Sequence, residues 1–162
     1  MRWVWVVPLT LILDQASKYA VRQSMVRGRS IHVIGDVFQL TYIHNSGAAF
    51  GLNLGNPWLH TLVAVVALVA LGWLLRTAPR EDQLMRLALW LVLGGALGNI
   101  IDRLYLQEVV DFLDVGLGEW RWPVFNLADT FVTIGIGLLA WAHSRQQPEP
   151  SASANLEEPH SS

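Results

Sequence analysis

The sequence predicts an all-α membrane protein: four transmembrane helices with a small β-sheet at the membrane surface. Three observations predict it. Apolar residues make up 52% of the 162 residues and charged residues only 15%, against roughly a quarter charged in an average soluble domain. The charges are clumped, which leaves long uncharged runs. Eight tryptophans are present, and most fall near the ends of those runs, where indole rings prefer the boundary between water and lipid. We read one membrane domain over 1–145 and a polar tail over 146–162.

Span one is placed at about 3–22. It opens on the apolar run 3–13 and continues only if Asp14 and Lys18 are tolerated inside. A cleaved signal peptide is the competing reading, with Arg2 as its positive start. Asp14-Gln15 interrupts the apolar region and Ser17-Lys18-Tyr19 makes a poor small-residue cleavage site, so we read a retained helix. Span two covers 57–75, which contains no Asp, Glu, Lys or Arg. At 1.5 Å per residue it reaches about 28 Å, close to the ~30 Å of a hydrocarbon core. Span three covers 86–106 and is uncharged between Arg86 and Asp102. Span four covers 125–143, with Asp129 inside it. Trp58 and Trp73 bracket span two, Trp120 and Trp122 precede span four, and Trp141 closes it.

The connection 23–56 is long and has a pattern of its own. Ser30–Ile34 and Val37–His44 are rich in β-branched and aromatic residues around Gly35-Asp36, which reads as a hairpin or sheet. Residues 104–124 form a second extramembrane stretch on the same side. The tail 146–162 is rich in Pro, Ser and Glu and reads as disordered. Four spans place both termini on one side. Arginine and lysine do not say which: five lie on the terminal side and six on the other.

Composition excludes several function classes. A net charge of −2 gives no basic surface for nucleic acid. Zero cysteines exclude disulfides, thiolate metal sites and a cysteine nucleophile. The five histidines (His32, His44, His60, His143, His160) lack ligand spacing, so no metal is expected.

Polar groups inside a span are costly, and they carry the functional expectation. Thr10, Asp14, Ser17 and Lys18 share one face of span one, and Gly95, Asn99, Asp102 and Arg103 one face of span three. Asn126, Asp129, Thr130, Thr133 and Gly137 do the same on span four. The three faces should pack together and leave span two the most lipid-facing. Glycines at 94, 95 and 98 fit close packing as well as function. Asn99 and Asn126 fit interhelical hydrogen bonds, Asp102 with Arg103 an ion pair, and Asp14 a pair with Lys18 at i+4.

Asp111 and Asp129 fit such readings less well. Asp111 is flanked by Val109, Val110 and Phe112, and Asp129 has no cation nearby in sequence. Two adjacent carboxylates in apolar surroundings cannot both ionise easily, so one holds a proton while the other acts as base. Such a pair activates water and protonates a leaving amine. Asp36, Asp114 and Glu119 are competing carboxylates that read as loop-exposed. The residues alone also fit a small proton-coupled transporter or a non-catalytic scaffold.

Five blocks in order carry a family resemblance: Asp14-Gln15-Ala16-Ser17-Lys18; Asn45-Ser46-Gly47-Ala48-Ala49-Phe50; Gly94 through Asn99 to Asp102-Arg103; Val109-Val110-Asp111-Phe112; and Phe125-Asn126-Leu127-Ala128-Asp129-Thr130. With them the chain resembles the signal peptidase II family, bacterial membrane aspartic peptidases that process lipoproteins. The resemblance implies cleavage of prolipoproteins before a diacylglyceryl-modified cysteine, with Asp111 and Asp129 catalytic. It implies that Asn45, Gly47, Asn99, Asp102, Arg103, Asn126 and Ala128 bind substrate or support the pair. Asp14, Gln15 and Lys18 then serve as structural polar residues. It further implies an extracytoplasmic β-cradle at about 23–56, cytoplasmic termini, and a site at the outer face of the bacterial inner membrane. The expected partners are prolipoprotein signal peptides and membrane lipids, with no nucleic acid and no cofactor, and the enzyme is expected to act as a monomer.

Overall fold

The computed structural model describes residues 2–46 and 56–145. In chain order these form α1 (Val6–Ser24), β1 (Ser30–Ile34), β2 (Phe38–Asn45), α2 (Pro57–Thr77), α3 (Gln83–Leu106), β3 (Val109–Leu117), β4 (Trp120–Arg121) and α4 (Leu127–Ser144). The expected spans 57–75, 86–106 and 125–143 fall on α2, α3 and α4. All three are long and apolar enough to cross a membrane. The expected first span falls on α1, which carries Asp14, Lys18 and Arg22 and is not apolar enough by overall composition.

Local chemistry sets the helix starts. Asn56 precedes Pro57 and its side chain accepts the Trp58 N–H at 2.9 Å, while Asp82 accepts the Met85 N–H at 2.9 Å. Both satisfy N–H groups that the first turn leaves without helical partners. Asn126 and Asp129 form a reciprocal capping box at the start of α4. α3 ends at Gln107, whose left-handed backbone (φ 59°) turns the chain directly into β3.

The four strands make one antiparallel sheet in the order β1-β2-β3-β4. Half of it therefore comes from 109–121, outside the 23–56 connection to which the sequence reading confined the cradle. The reason is visible in β3. Val109, Val110, Asp111 and Phe112 are all buried, so the strand lacks the alternation that marks a half-exposed strand in sequence. β2 pairs with β3 through Gln39↔Asp114, Ile43↔Asp111 and Asn45↔Val109, with a register shift between Leu40 and Ile43. Val110 and Phe112 of β3 pack with Tyr42 of β2 and Val21 of α1, which ties the sheet to the helices. The tail 146–162 and the part of the connection over 47–55 lie outside the described residues.

α3 is the hub of the helical part, with α1, α2 and α4 all packed on it. α2 leaves Leu62, Val66, Val69 and Trp73 exposed, in keeping with its expected lipid-facing role, although His60 and Thr61 are buried. On α3 two glycines bring the other polar helices close. A Cβ at Gly98 would lie 2.6 Å from Asp14 Oδ2, and one at Gly95 would overlap the Ala128 carbonyl oxygen. Close packing thus accounts for both.

Gly98→Ala is expected to destabilise the protein by about 1–3 kcal/mol through forced displacement of a buried carboxylate. Gly137→Ala is the control, because a Cβ there meets nothing within 4 Å. Thermal unfolding of the two purified variants in detergent should show a lowered midpoint for the first only.

Candidate active site

The site is built outward from a buried lysine. Lys18 on α1 is 2% exposed, and its ammonium has three protons to place. It lies 2.8 Å from Asp14 Oδ2, 2.9 Å from Asp102 Oδ2 and 3.0 Å from Asn99 Oδ1. The expected i+4 pairing of Asp14 with Lys18 is therefore present. Asp102 takes its cation from α1 and not from its neighbour Arg103. Consecutive residues point about 100° apart on a helix, and Arg103 instead donates to the Asn99 carbonyl at 3.4 Å. Gln15 completes the cluster, donating to Asp14 Oδ2 at 3.0 Å, Asp102 Oδ1 at 2.9 Å and the Gly98 carbonyl at 3.2 Å.

Two further bonds connect this cluster to α4 and β3. Asp14 Oδ1 accepts the Ala128 N–H at 3.0 Å, and Asp102 Oδ2 accepts the Val110 N–H at 3.1 Å. Ala128 and Val110 are the residues immediately before Asp129 and Asp111. Burying Ala128 completely lets its backbone approach Asp14 and Gly95. Its part is backbone placement.

The two aspartates are joined by two amides. Asn99 Nδ2 donates to Asp129 Oδ1 at 2.7 Å, and Asn126 Nδ2 donates to Asp111 Oδ1 at 2.7 Å. Asn126 Nδ2 also lies 3.1 Å from Asn99 Oδ1, which closes the bridge, and 3.3 Å from the Val110 carbonyl. Asn45 Nδ2 donates to the other Asp111 oxygen at 3.0 Å. Asp129 Oδ2 accepts the Asn126 N–H at 3.3 Å as part of the capping box. Arg103 is half-buried, within the field of Asp129, Asp111 and Asp102.

Asp111 is 1% exposed. Burial pushes its carboxyl up to about 6, and the charge of Asp129 pushes the same way, against the hydrogen bonds from Asn45 and Asn126 and the positive charge of Lys18. Asp129 is half-buried at the first turn of α4, where a helix favours negative charge. One carboxyl is dry and the other reaches the surface. That is the asymmetry an acid–base pair needs.

The family model for signal peptidase (SPase) II matches residues 6–145. The chain belongs to the signal peptidase II family. It is a peptidase that removes signal peptides from prolipoproteins. It is 43% identical over 143 residues to the lipoprotein signal peptidase of Alteromonas mediterranea, covering 86% of this chain and 78% of that one. It is 46% identical over 133 residues to that of Moorella thermoacetica, covering 82% and 86%. Its fold is similar to a bacterial membrane enzyme solved by the in meso method at 1.9 Å, with TM-score 0.81, 32% identity and coverage of 90% and 94%.

Every site residue expected of a signal peptidase II falls in this cluster except Gly47, which lies outside the described residues. Of the competing carboxylates, Asp114 is not loop-exposed. It is buried on β3, where it accepts from Thr41 Oγ1 at 2.6 Å and pairs with Arg121 at 2.6 Å. The sequence reading also passed over a chain beside Asn45. Tyr42 Oη lies 2.7 Å from His44 Nε2, and His44 Nδ1 lies 2.7 Å from Glu108 Oε2. It fixes the end of β2 that presents Asn45; Tyr42 and His44 are two positions apart, but Glu108 lies 64 positions from His44, too far to leave a local signal.

The raised Asp111 carboxyl has a consequence for stability. Because the folded state holds this proton more tightly than the unfolded chain, stability should fall as pH rises from about 4 to about 6 and level off above. Thermal midpoints measured across that range should decline in the parent protein. In Asp111→Asn that component of the decline should vanish.

Proposed function

We propose that Asp111 and Asp129 are the catalytic dyad of this signal peptidase, with Asp111 holding the shared proton and Asp129 acting as base. The carrying observation is the Asn99–Asn126 bridge, which grips one oxygen of each carboxylate while burying only Asp111. Asp129 takes a proton from a water whose oxygen bonds to the scissile carbonyl carbon. Asp111 donates a hydrogen bond to the carbonyl oxygen as negative charge builds there. When the C–N bond breaks, the Asp111 proton passes to the leaving amine. Asp129 then carries the proton taken from water, and the pair again holds one. No other group is required for this balance.

The substrate in this reading is a prolipoprotein cut before its diacylglyceryl-modified cysteine. Its acyl chains stay in the bilayer while the scissile bond meets the dyad. Each CH₂ held in lipid contributes about 0.8 kcal/mol to membrane anchoring, which keeps the substrate concentrated at the membrane face where the enzyme meets it. The enzyme acts as a monomer: α1, α3, α4 and the sheet of one chain supply the whole cluster.

α1 serves as a fourth span. Its charged residues Asp14 and Lys18 face inward and are almost fully buried, while Leu9, Ile12 and Leu13 face outward and are exposed. The outer surface of α1 is thus apolar, although its composition is not. Four spans put both termini on one side, which we assign to the cytoplasm, and the sheet with the dyad at the extracytoplasmic face of the inner membrane. Asn45 at the end of β2 reaches Asp111, and Gly47 in the adjoining segment belongs with the substrate-contacting residues.

Two measurements test this. Asp111→Asn and Asp129→Asn, each confirmed folded, should lose about 10²–10⁴-fold of cleavage of a diacylglyceryl-modified lipobox peptide. Substantial activity in both would overturn the dyad, and equal cleavage of a non-lipidated peptide would overturn the lipid-anchored substrate. The chain has no cysteine, so single cysteines report topology. Both Arg80 and Glu119 are exposed. In intact spheroplasts an impermeant maleimide should label Glu119→Cys and leave Arg80→Cys unlabelled.

A further inference from the structure

We propose that Lys18 is a positioning residue for the aspartate pair, fixing the direction of the Asn99 amide and the backbone placement of both aspartates. This rests on the dyad reading above and extends it to a side chain that touches neither carboxylate of the pair.

Consider the amide first. Asn99 Oδ1 accepts from Lys18 Nζ at 3.0 Å and from Asn126 Nδ2 at 3.1 Å, and Asn99 Nδ2 donates to Asp129 Oδ1 at 2.7 Å. Rotated by half a turn, the amide would set its NH₂ against the Lys18 ammonium and the Asn126 NH₂. It would also set its oxygen against the Asp129 carboxylate. Lys18 therefore makes the amide one-way, and an N–H always faces Asp129. With Asn99 Oδ1 held, Asn126 also has a fixed acceptor, which aims its NH₂ at Asp111.

The backbone repeats the pattern. The other two Lys18 protons hold Asp14 and Asp102. Asp14 accepts the N–H of Ala128, one residue before Asp129, and Asp102 accepts the N–H of Val110, one residue before Asp111. One ammonium thus reaches each aspartate by two routes, through a side-chain amide and through the preceding peptide. A lysine that only filled a charge hole in the helix packing would need neither correspondence. Its charge also bears on the pair, since it acts on Asp111 through space. The charged groups whose fields reach the pair are Lys18 from α1 and Arg103 from α3, with Asp14 and Asp102 bonded to Lys18 behind them. β2 contributes the neutral amide of Asn45.

The test is the pH profile of kcat and KM for lipobox-peptide cleavage by folded, full-length variants. Lys18→Met should lower kcat at least about tenfold, the usual scale for losing a group that orients a functional one, with KM nearly unchanged. The limb that Asp111 governs should move to higher pH, because a nearby cation that favoured its ionised form is gone. Lys18→Gln keeps an N–H for Asn99 without the charge. It should recover part of kcat while the Asp111 limb stays shifted. Parent-like kcat and limbs in Lys18→Met overturn the proposal. So does a loss of kcat with unmoved limbs that glutamine does not relieve. If Lys18→Met does not fold, Lys18→Met/Asp14→Asn removes one charge of each sign. Reduced kcat at unchanged KM in that variant supports the proposal, and parent-like kcat overturns it. Asp111→Asn and Asp129→Asn are run alongside. Their activity would overturn the dyad itself, whereas their inactivity beside a parent-like Lys18→Met overturns only the role of Lys18.

Discussion

Charged and amide groups buried between helices have no water to bond, so they must satisfy one another. This constraint organises the protein around the Lys18 ammonium. One cation with three protons meets two carboxylates and one amide, and each of those acceptors spends its remaining capacity on another element. The geometry leaves little room for backbone between the helices, which is why Gly95 and Gly98 stand where α3 faces Ala128 and Asp14. Removing one member of such a cluster strands a buried charge, at a cost of roughly 3–5 kcal/mol. The helices are locked together by the same bonds that place the site.

The site inherits its rigidity from that locking. Asp111 sits in the middle of a sheet, on a strand whose neighbours Val110 and Phe112 are buried against α1 and β2. Asp129 is the third residue of a capped helix, and its carboxylate takes part in the cap. A strand and a helix terminus arrive from opposite ends of the 112–126 segment, and Phe112 and Leu113 N–H groups bonded to the Phe125 carbonyl at 2.9 and 2.7 Å hold those ends together. Two carboxylates eighteen positions apart become neighbours through backbone hydrogen bonding.

Much of this was legible in the sequence, for reasons that also explain what was not. α2, α3 and α4 announce themselves because lipid demands unbroken apolar length. α1 was legible differently, through the i, i+4, i+7, i+8 spacing of Thr10, Asp14, Ser17 and Lys18 amid apolar neighbours. The pairing of Asp14 with Lys18 is local and could be anticipated. The link from Lys18 to Asn99 spans 81 positions, and no periodicity reports it. β3 was missed as a strand because it is buried on both faces. Asp114 was misjudged for the same reason, its partners Thr41 and Arg121 being supplied by β2 and β4.

The four buried or half-buried carboxylates of the seam divide by what opposes their charge. Asp14 and Asp102 each touch an ammonium at 2.8–2.9 Å and each accepts a backbone N–H, so their oxygens are committed to holding helices and strand together. Among the described residues, neither Asp111 nor Asp129 makes a direct ion pair. They are gripped by neutral amides, with Arg103 near but bonded to the Asn99 carbonyl. Amide donors hold a carboxyl in place without forcing it to stay charged. Burial pushes the Asp111 carboxyl, held this way, up to about 6, within reach of the proton exchange that peptide hydrolysis needs. The four aspartates thus split into two that tie the elements together and two held by neutral amides, the pair for which we propose the chemistry. The division is made by where one lysine places its three hydrogen bonds.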